Sequence, residues 1–132
     1  MKIISRETDY AIRALGRIAK EGGGKLSAAA LVKDTKVPRP LLRKVLQKLN
    51  SSGILVSYKG KGGGFEFRKN PATIMVADVM EVFQGKFRMN ECVFVKKECP
   101  NKKFCRLREN ICRIESDVYE ELKKIRLLSL IP

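Results

Sequence analysis

The sequence predicts a mainly α fold with one small β-hairpin, and three observations predict it. Apolar residues recur at three- and four-residue steps through most of the first fifty positions. Two short runs, Ile54-Leu55-Val56-Ser57-Tyr58 and Phe65-Glu66-Phe67-Arg68, then flank the glycine-rich stretch Lys59-Gly60-Lys61-Gly62-Gly63-Gly64. A narrow seam of Leu107, Ile111, Ile114, Val118, Leu122, Ile125 and Leu128 runs along the C-terminal end. At 132 residues, 44% of them hydrophobic, the chain has room for one domain with an appended dimerisation element.

The first helix is expected over Ile3 to Lys20. Ser5 can cap it, Glu7 and Asp9 complement the positive end of its dipole, and Gly22-Gly23-Gly24 stop it. Its apolar side is Ile4, Ala11, Ile12, Leu15, Ile18 and Ala19. Ser27 caps a short helix from Ala28 to Asp34. After the turn Thr35-Lys36-Val37, Pro38 and Pro40 stand at a helix entrance, where a missing N–H costs nothing. That third helix runs to about Ser51, with Leu41, Leu42, Val45, Leu46 and Leu49 inward, and Gly53 closes it. Two short helices joined by a tight turn, the second rich in Arg and Lys, form a helix-turn-helix pattern. The hairpin after it makes a winged helix-turn-helix domain.

Pro71 and Thr73 open a further helix, with Ile74, Val76, Val79, Met80 and Phe83 on its apolar side, ending at Gly85. Residues 86–104 show no clear periodicity and read as a loop ordered by something other than a core. From Arg106 to about Leu130 a long helix is expected, too protruding to bury its seam alone; a two-fold homodimer would cover it. The division is therefore 1–85 as the DNA-binding domain, 86–105 as a cysteine-bearing loop and 106–132 as the dimerisation helix.

Charge separates these parts. The chain carries 28 basic and 14 acidic residues, a net +14, and residues 1–70 hold 16 of the basic and 5 of the acidic ones. Positive charge concentrated in one half suits a polyanion such as double-stranded DNA, although a merely soluble basic surface would look similar. No apolar run of about 18 residues exists to span a membrane, and Met1 to Ser5 lead into charged sequence without a secretory h-region. A cytoplasmic protein is expected.

In a helix-turn-helix the second helix enters the major groove. Arg39 and Arg43 are the candidates for base readout, because a guanidinium can bond guanine O6 and N7 together. Lys44 and Lys48 are candidates for phosphate contacts, with Gln47 further along the same helix. The same charges also fit a plain solvent face; the wing, with Lys59 and Lys61 at a glycine-rich tip, favours the DNA reading. Neither glycine stretch is followed by Gly-Lys-Ser/Thr, so neither is a phosphate-binding P-loop. With 0 histidines and no nucleophile–base pairing, an enzyme is not expected.

The 4 cysteines are Cys92, Cys99, Cys105 and Cys112. In a reducing compartment they point to metal rather than disulfides. The short Cys-x-x-Cys pair usual in zinc ribbons is missing, and wider spacing suits thiolates around an iron–sulfur core. Zinc and uncoordinated thiols remain alternatives. Cys112 lies one heptad beyond Cys105, roughly 10 Å along a helix, too far to share one compact cluster easily.

Several stretches together resemble the Rrf-two family of bacterial winged-helix regulators. They are Thr8-Asp9-Tyr10-Ala11-Ile12-Arg13-Ala14-Leu15, Val37-Pro38-Arg39-Pro40-Leu41-Leu42-Arg43-Lys44-Val45-Leu46, the wing Gly60-Lys61-Gly62-Gly63-Gly64-Phe65, and the loop Cys92, Cys99, Cys105. The resemblance implies a dimer whose last helices cross, and a [2Fe–2S] or [4Fe–4S] cluster on Cys92, Cys99 and Cys105. It also implies Asp9 as a ligand to the partner subunit's cluster; the other reading of Asp9 is a helix-dipole carboxylate. Six residues separate Cys92 from Cys99 where many relatives have five, and Arg43 stands where assembly-type regulators often place Glu. The function so implied is transcriptional regulation through a cluster sensing redox state, nitric oxide or cluster supply. The alternative is a cluster-free or zinc-binding helical protein-interaction module.

Overall fold

The computed structural model describes residues 2–22, 24–89 and 105–131. Five helices and one two-stranded antiparallel hairpin make up these residues: α1 (Arg6–Lys20), α2 (Ala28–Thr35), α3 (Arg39–Ser52), β1 (Leu55–Tyr58), β2 (Gly64–Phe67), α4 (Val76–Gln84) and α5 (Arg106–Lys123). Short 3-10 turns cover Pro71–Thr73 and Leu127–Leu130. This is the winged helix-turn-helix arrangement expected from the sequence.

The caps explain where the helices begin. The Ser5 hydroxyl accepts from the Thr8 N–H at 3.2 Å, so α1 starts at Arg6 rather than Ile3, and Ile3 and Ile4 are left exposed. Ser27 accepts from the Ala30 N–H at 3.1 Å to open α2. Lys36 closes α2 in the left-handed region, with φ 59°, and donates to the Val32 carbonyl at 3.0 Å. The chain then turns into α3 with Pro38 at the cap position and Pro40 in the first turn. At the head of α4 the Met75 N–H donates to Asp78 Oδ2 at 2.9 Å, which separates this helix from the 3-10 turn at Pro71.

One core joins α1, α2, α3, the hairpin and α4. Ala11, Ala14, Leu15, Ile18, Leu31, Leu42, Val45, Leu46, Leu49, Ile54, Leu55, Ile74 and Val79 are buried in it together. Leu41 is not: it is 40% exposed, on the margin of the buried face of α3. At about 100° per residue it lies roughly 90° from the mean direction of Leu42, Val45, Leu46 and Leu49, too far to reach the core.

The C-terminal end departs from the expected continuous helix. α5 stops at Lys123, and the chain doubles back instead of running on to Leu130. Val76 N–H donates to the Ile125 carbonyl and Leu127 N–H to the Ile74 carbonyl, both at 2.9 Å, forming an antiparallel bridge between Met75 and Arg126. Leu127 is fully buried in the main core. Leu122, Ile125 and Leu128 keep three-residue steps straight through the break, which is why the sequence pattern did not reveal the turn.

α5 is the least supported element. Val118, Tyr119 and Leu122 pack against a second cluster of Val76, Met80 and Phe87, where the rings of Phe87 and Tyr119 stack at 5.9 Å. No residue of α5 is buried; Leu107 is 71% exposed and Ile114 44%. Among the described residues, nothing buries the apolar seam of its N-terminal half.

Candidate nucleic-acid interface and cysteine centre

α3 exposes a basic face. Arg43, Lys44, Gln47 and Lys48 are exposed away from the buried Leu42, Val45, Leu46 and Leu49, and Arg39 is exposed on its flank in the first turn. Among the described residues, Arg39, Arg43 and Lys44 form no ion pair, so their charge is uncompensated. Lys48 differs: its Nζ sits 5.4 Å over the ring of Phe83 on α4, a cation–π contact that orients it.

The wing is positioned by backbone contacts that only glycine permits. β1 and β2 pair in register from Leu55↔Phe67 to Tyr58↔Gly64. Leu26 adds a third rung, donating to the Phe65 carbonyl at 3.0 Å and accepting from the Phe65 N–H at 2.8 Å. A Cβ on Gly64 would collide with the Leu26 carbonyl, and one on Gly63 with the Tyr58 carbonyl. At the tip, Gly60 and Gly62 have φ of 86° and 78°. The glycine run is therefore demanded first by the hairpin's own geometry; an exposed tip bearing Lys59 and Lys61 is the outcome.

Next to the tip of the wing the sequence reading missed a polar group. Tyr58 OH donates to Glu66, and Lys25 Nζ lies 5.0 Å over the Tyr58 ring. The hydrogen bond to Glu66, with some desolvation and carboxylate charge, raises the Tyr58 pKa above its ordinary value. The signal was available: Tyr58 and Glu66 sit diagonally across a two-strand pairing whose register the glycine loop sets.

A second missed group lies at the start of α1. Gln84 Oε1 accepts from Ser5 N–H at 3.0 Å and from Thr8 Oγ1 at 2.8 Å, while its Nε2 donates to the Ile3 carbonyl at 3.0 Å. Thr8 is fully buried. The end of α4 is thereby locked to the beginning of α1, and no one-dimensional pattern announces a pairing across 76 residues.

Of the candidate ligands, Cys92 and Cys99 lie outside the described residues. Cys105 is the N-cap of α5, and its Sγ accepts from the Arg108 N–H at 3.4 Å. Cys112 is exposed on α5. Upstream, the Met89 N–H donates to Glu115 Oε2 at 2.9 Å, so residues 89 and 105 are both tied to α5. Ten positions of helix separate those ties, about 15 Å at 1.5 Å per residue. Asp9 is 47% exposed on α1, its Oδ2 3.1 Å from Arg13 Nη2. Among the described residues no three potential ligands converge. No helix of the described residues is long and apolar enough to cross a membrane.

A helix-turn-helix with a basic second helix and a lysine-tipped wing defines the class: a winged-helix protein built like a DNA-binding regulator. Comparison with known proteins makes this specific. Residues 4–132 match the family model Rrf2, iron-dependent transcriptional regulator, and the chain belongs to that family. It is 31% identical over 121 residues to a putative HTH-type transcriptional regulator of Aquifex aeolicus, covering 92% of this chain and 80% of that one. It is 28% identical over 95 residues to the HTH-type transcriptional regulator NsrR of Bacillus subtilis, covering 71% and 65% respectively. The structure of CymR (YrzC), the global cysteine regulator of B. subtilis, superposes with a TM-score of 0.77 at 25% identity over 100% of both chains. The chain is accordingly an Rrf2-family transcriptional regulator.

Proposed function

We propose that this chain is a cytoplasmic homodimer that binds promoter DNA and whose grip is controlled by an iron–sulfur centre on Cys92, Cys99 and Cys105. The observation that carries the DNA reading is the uncompensated row Arg39, Arg43 and Lys44 on the exposed face of α3, beside a wing tipped by Lys59 and Lys61. In this reading Arg39 and Arg43 address base edges; Lys44, Lys48, Lys59 and Lys61 address phosphates or a narrow minor groove, and Gln47 lies within reach of the groove floor. The uncovered seam of α5 supports pairing with a second copy, which would set two α3 helices about one turn of duplex apart, roughly 34–36 Å. Residues 1–85 then serve as the reader, 86–105 as the ligand-bearing segment and 106–132 as the dimerisation segment, with Leu127 returning to the reader's core.

The family description supplies the word iron. The residues present fit such a centre: Cys105 offers a sulfur at a helix N-terminus, where a backbone N–H already points at it and negative charge is favoured. When bound, an iron–sulfur cluster supplies a redox- and nitric-oxide-reactive site. Asp9 of the partner subunit completes the proposed ligand set, with Oδ1 available while Oδ2 pairs with Arg13.

Anaerobic purification with iron and sulfide analysis tests the reading. A brown protein with broad visible absorption and iron matched by sulfide is expected, as is altered operator affinity after removal of the cluster. A colourless protein with stoichiometric zinc would remove it. A second reading, a cluster-free regulator, is favoured by the full-length likeness to CymR. It predicts that replacing Cys92, Cys99 and Cys105 together by serine changes neither colour nor DNA binding.

A further inference from the structure

The first turn of α3 exposes two apolar side chains among its cations. Pro40 lies roughly 170° around the helix from the mean direction of the buried residues, at the centre of the outward face. Lys44 and Gln47 continue that ridge one and two turns on. Leu41 stands next to Pro40 and is 40% exposed, whereas Leu42, Val45, Leu46 and Leu49 are at most 3% exposed.

This end of the helix is also poor in phosphate-binding groups. Its cap residue is Pro38, with no side-chain cap, and Pro40 removes another N–H from the first turn. A helix N-terminus entering a groove ordinarily offers such N–H groups to phosphate. Here only Arg39 and Leu41 keep such a group, and the hydrocarbon of Pro40 and Leu41 stands among Arg39, Arg43 and Lys44.

We propose that Pro40 and Leu41 determine specificity by packing against the C5-methyl group of a thymine in the major groove. The inference rests on the DNA-binding reading of α3 and deepens it. Thymine is the one base presenting a methyl on that groove, and apolar side chains are the groups that recognise it. Arg39 and Arg43 hold the helix end against the duplex, so the apolar pair is dehydrated at an adjacent base step. Arg43 then reads a guanine and the pair reads a neighbouring thymine.

The test begins by selecting preferred duplexes from a random library with the intact protein. Each thymine of the selected site is then replaced singly by deoxyuridine, which deletes only the methyl. At one thymine per half-site we expect about fourfold weaker binding, the effect of burying one methyl group. In the Pro40→Ala/Leu41→Ala variant that thymine-to-deoxyuridine ratio should fall to about one, with the guanine preference kept. Circular dichroism checks that the variant is folded, and Leu41→Ala alone should show a partial loss. Indifference of the intact protein to every deoxyuridine, or unchanged methyl sensitivity in the double variant, overturns the proposal while leaving DNA binding intact. Failure to enrich any duplex, even at low salt, overturns the underlying DNA reading as well.

Discussion

Leu127→Ala is the sharpest test of how the C-terminal end is built. Leu127 is fully buried beside α1 and α3 core residues, and its backbone is held by the hydrogen bond to Ile74. Truncating a buried leucine costs about 2–5 kcal/mol, from lost transfer energy plus a residual cavity. Two features place this site below the top of that range. The 3-10 turn at Leu127–Leu130 can shift to close part of the cavity, and undocking that turn sets a ceiling on the cost. We expect about 3 kcal/mol. Leu128 is the internal control: it is 37% exposed, and Leu128→Ala should cost less than about 1 kcal/mol. Urea denaturation followed by far-ultraviolet circular dichroism measures both, at one fixed protein concentration because an associating protein's midpoint depends on it. Equal midpoints for the two variants would refute the reasoning, since a helix continuing past Lys123 would leave neither leucine in the reader's core.

Arg43→Ala should relax the base preference at one operator position by about 1–3 kcal/mol, while Lys44→Ala should weaken all sequences alike and flatten the salt dependence; quantitative mobility shifts at several salt concentrations separate the two. Gly64→Ala should push β2 off Leu26, lowering stability by about 1–3 kcal/mol in thermal melts and weakening duplex binding through a displaced wing. Tyr58 is held neutral by its bond to Glu66, so its folded pKa lies above the unfolded value. Stability from that bond is complete below the unfolded tyrosine pKa near about 10 and is lost as pH rises through the raised value. Ultraviolet titration of phenolate should show the Tyr58 midpoint falling in Glu66→Gln.

The parts of the fold written in local chemistry were legible in the sequence. Ser5 and Ser27 announced two helix starts, Pro38 and Pro40 the third, and the Gly60–Gly64 run the hairpin. These signals act within a few residues of where they stand. What escaped was set by partners far away in sequence. The break after Lys123 depends on Met75, and the burial of Thr8 on Gln84. Leu41 was misassigned to the core because a helix with five clustered apolar residues reads as a wide stripe, while the structure buries four. The candidate DNA face was readable because uncompensated charge on a short second helix is itself a local pattern. The candidate ligands Cys92 and Cys99 fall outside the described residues, and the role proposed for them rests on spacing and family membership.

The fastening of Met89 to Glu115 and of Cys105 to the start of the same helix has an evolutionary consequence. Two ties, ten positions apart on α5, thus flank residues 90–104 in the sequence. Met89 also packs against Val76, Met80 and Phe87, so the first of these ties is shared between α5 and the reader. A change in the number of residues between two such fixed points costs little entropy, so the spacing of Cys92 and Cys99 is free to vary while both ties stay in place.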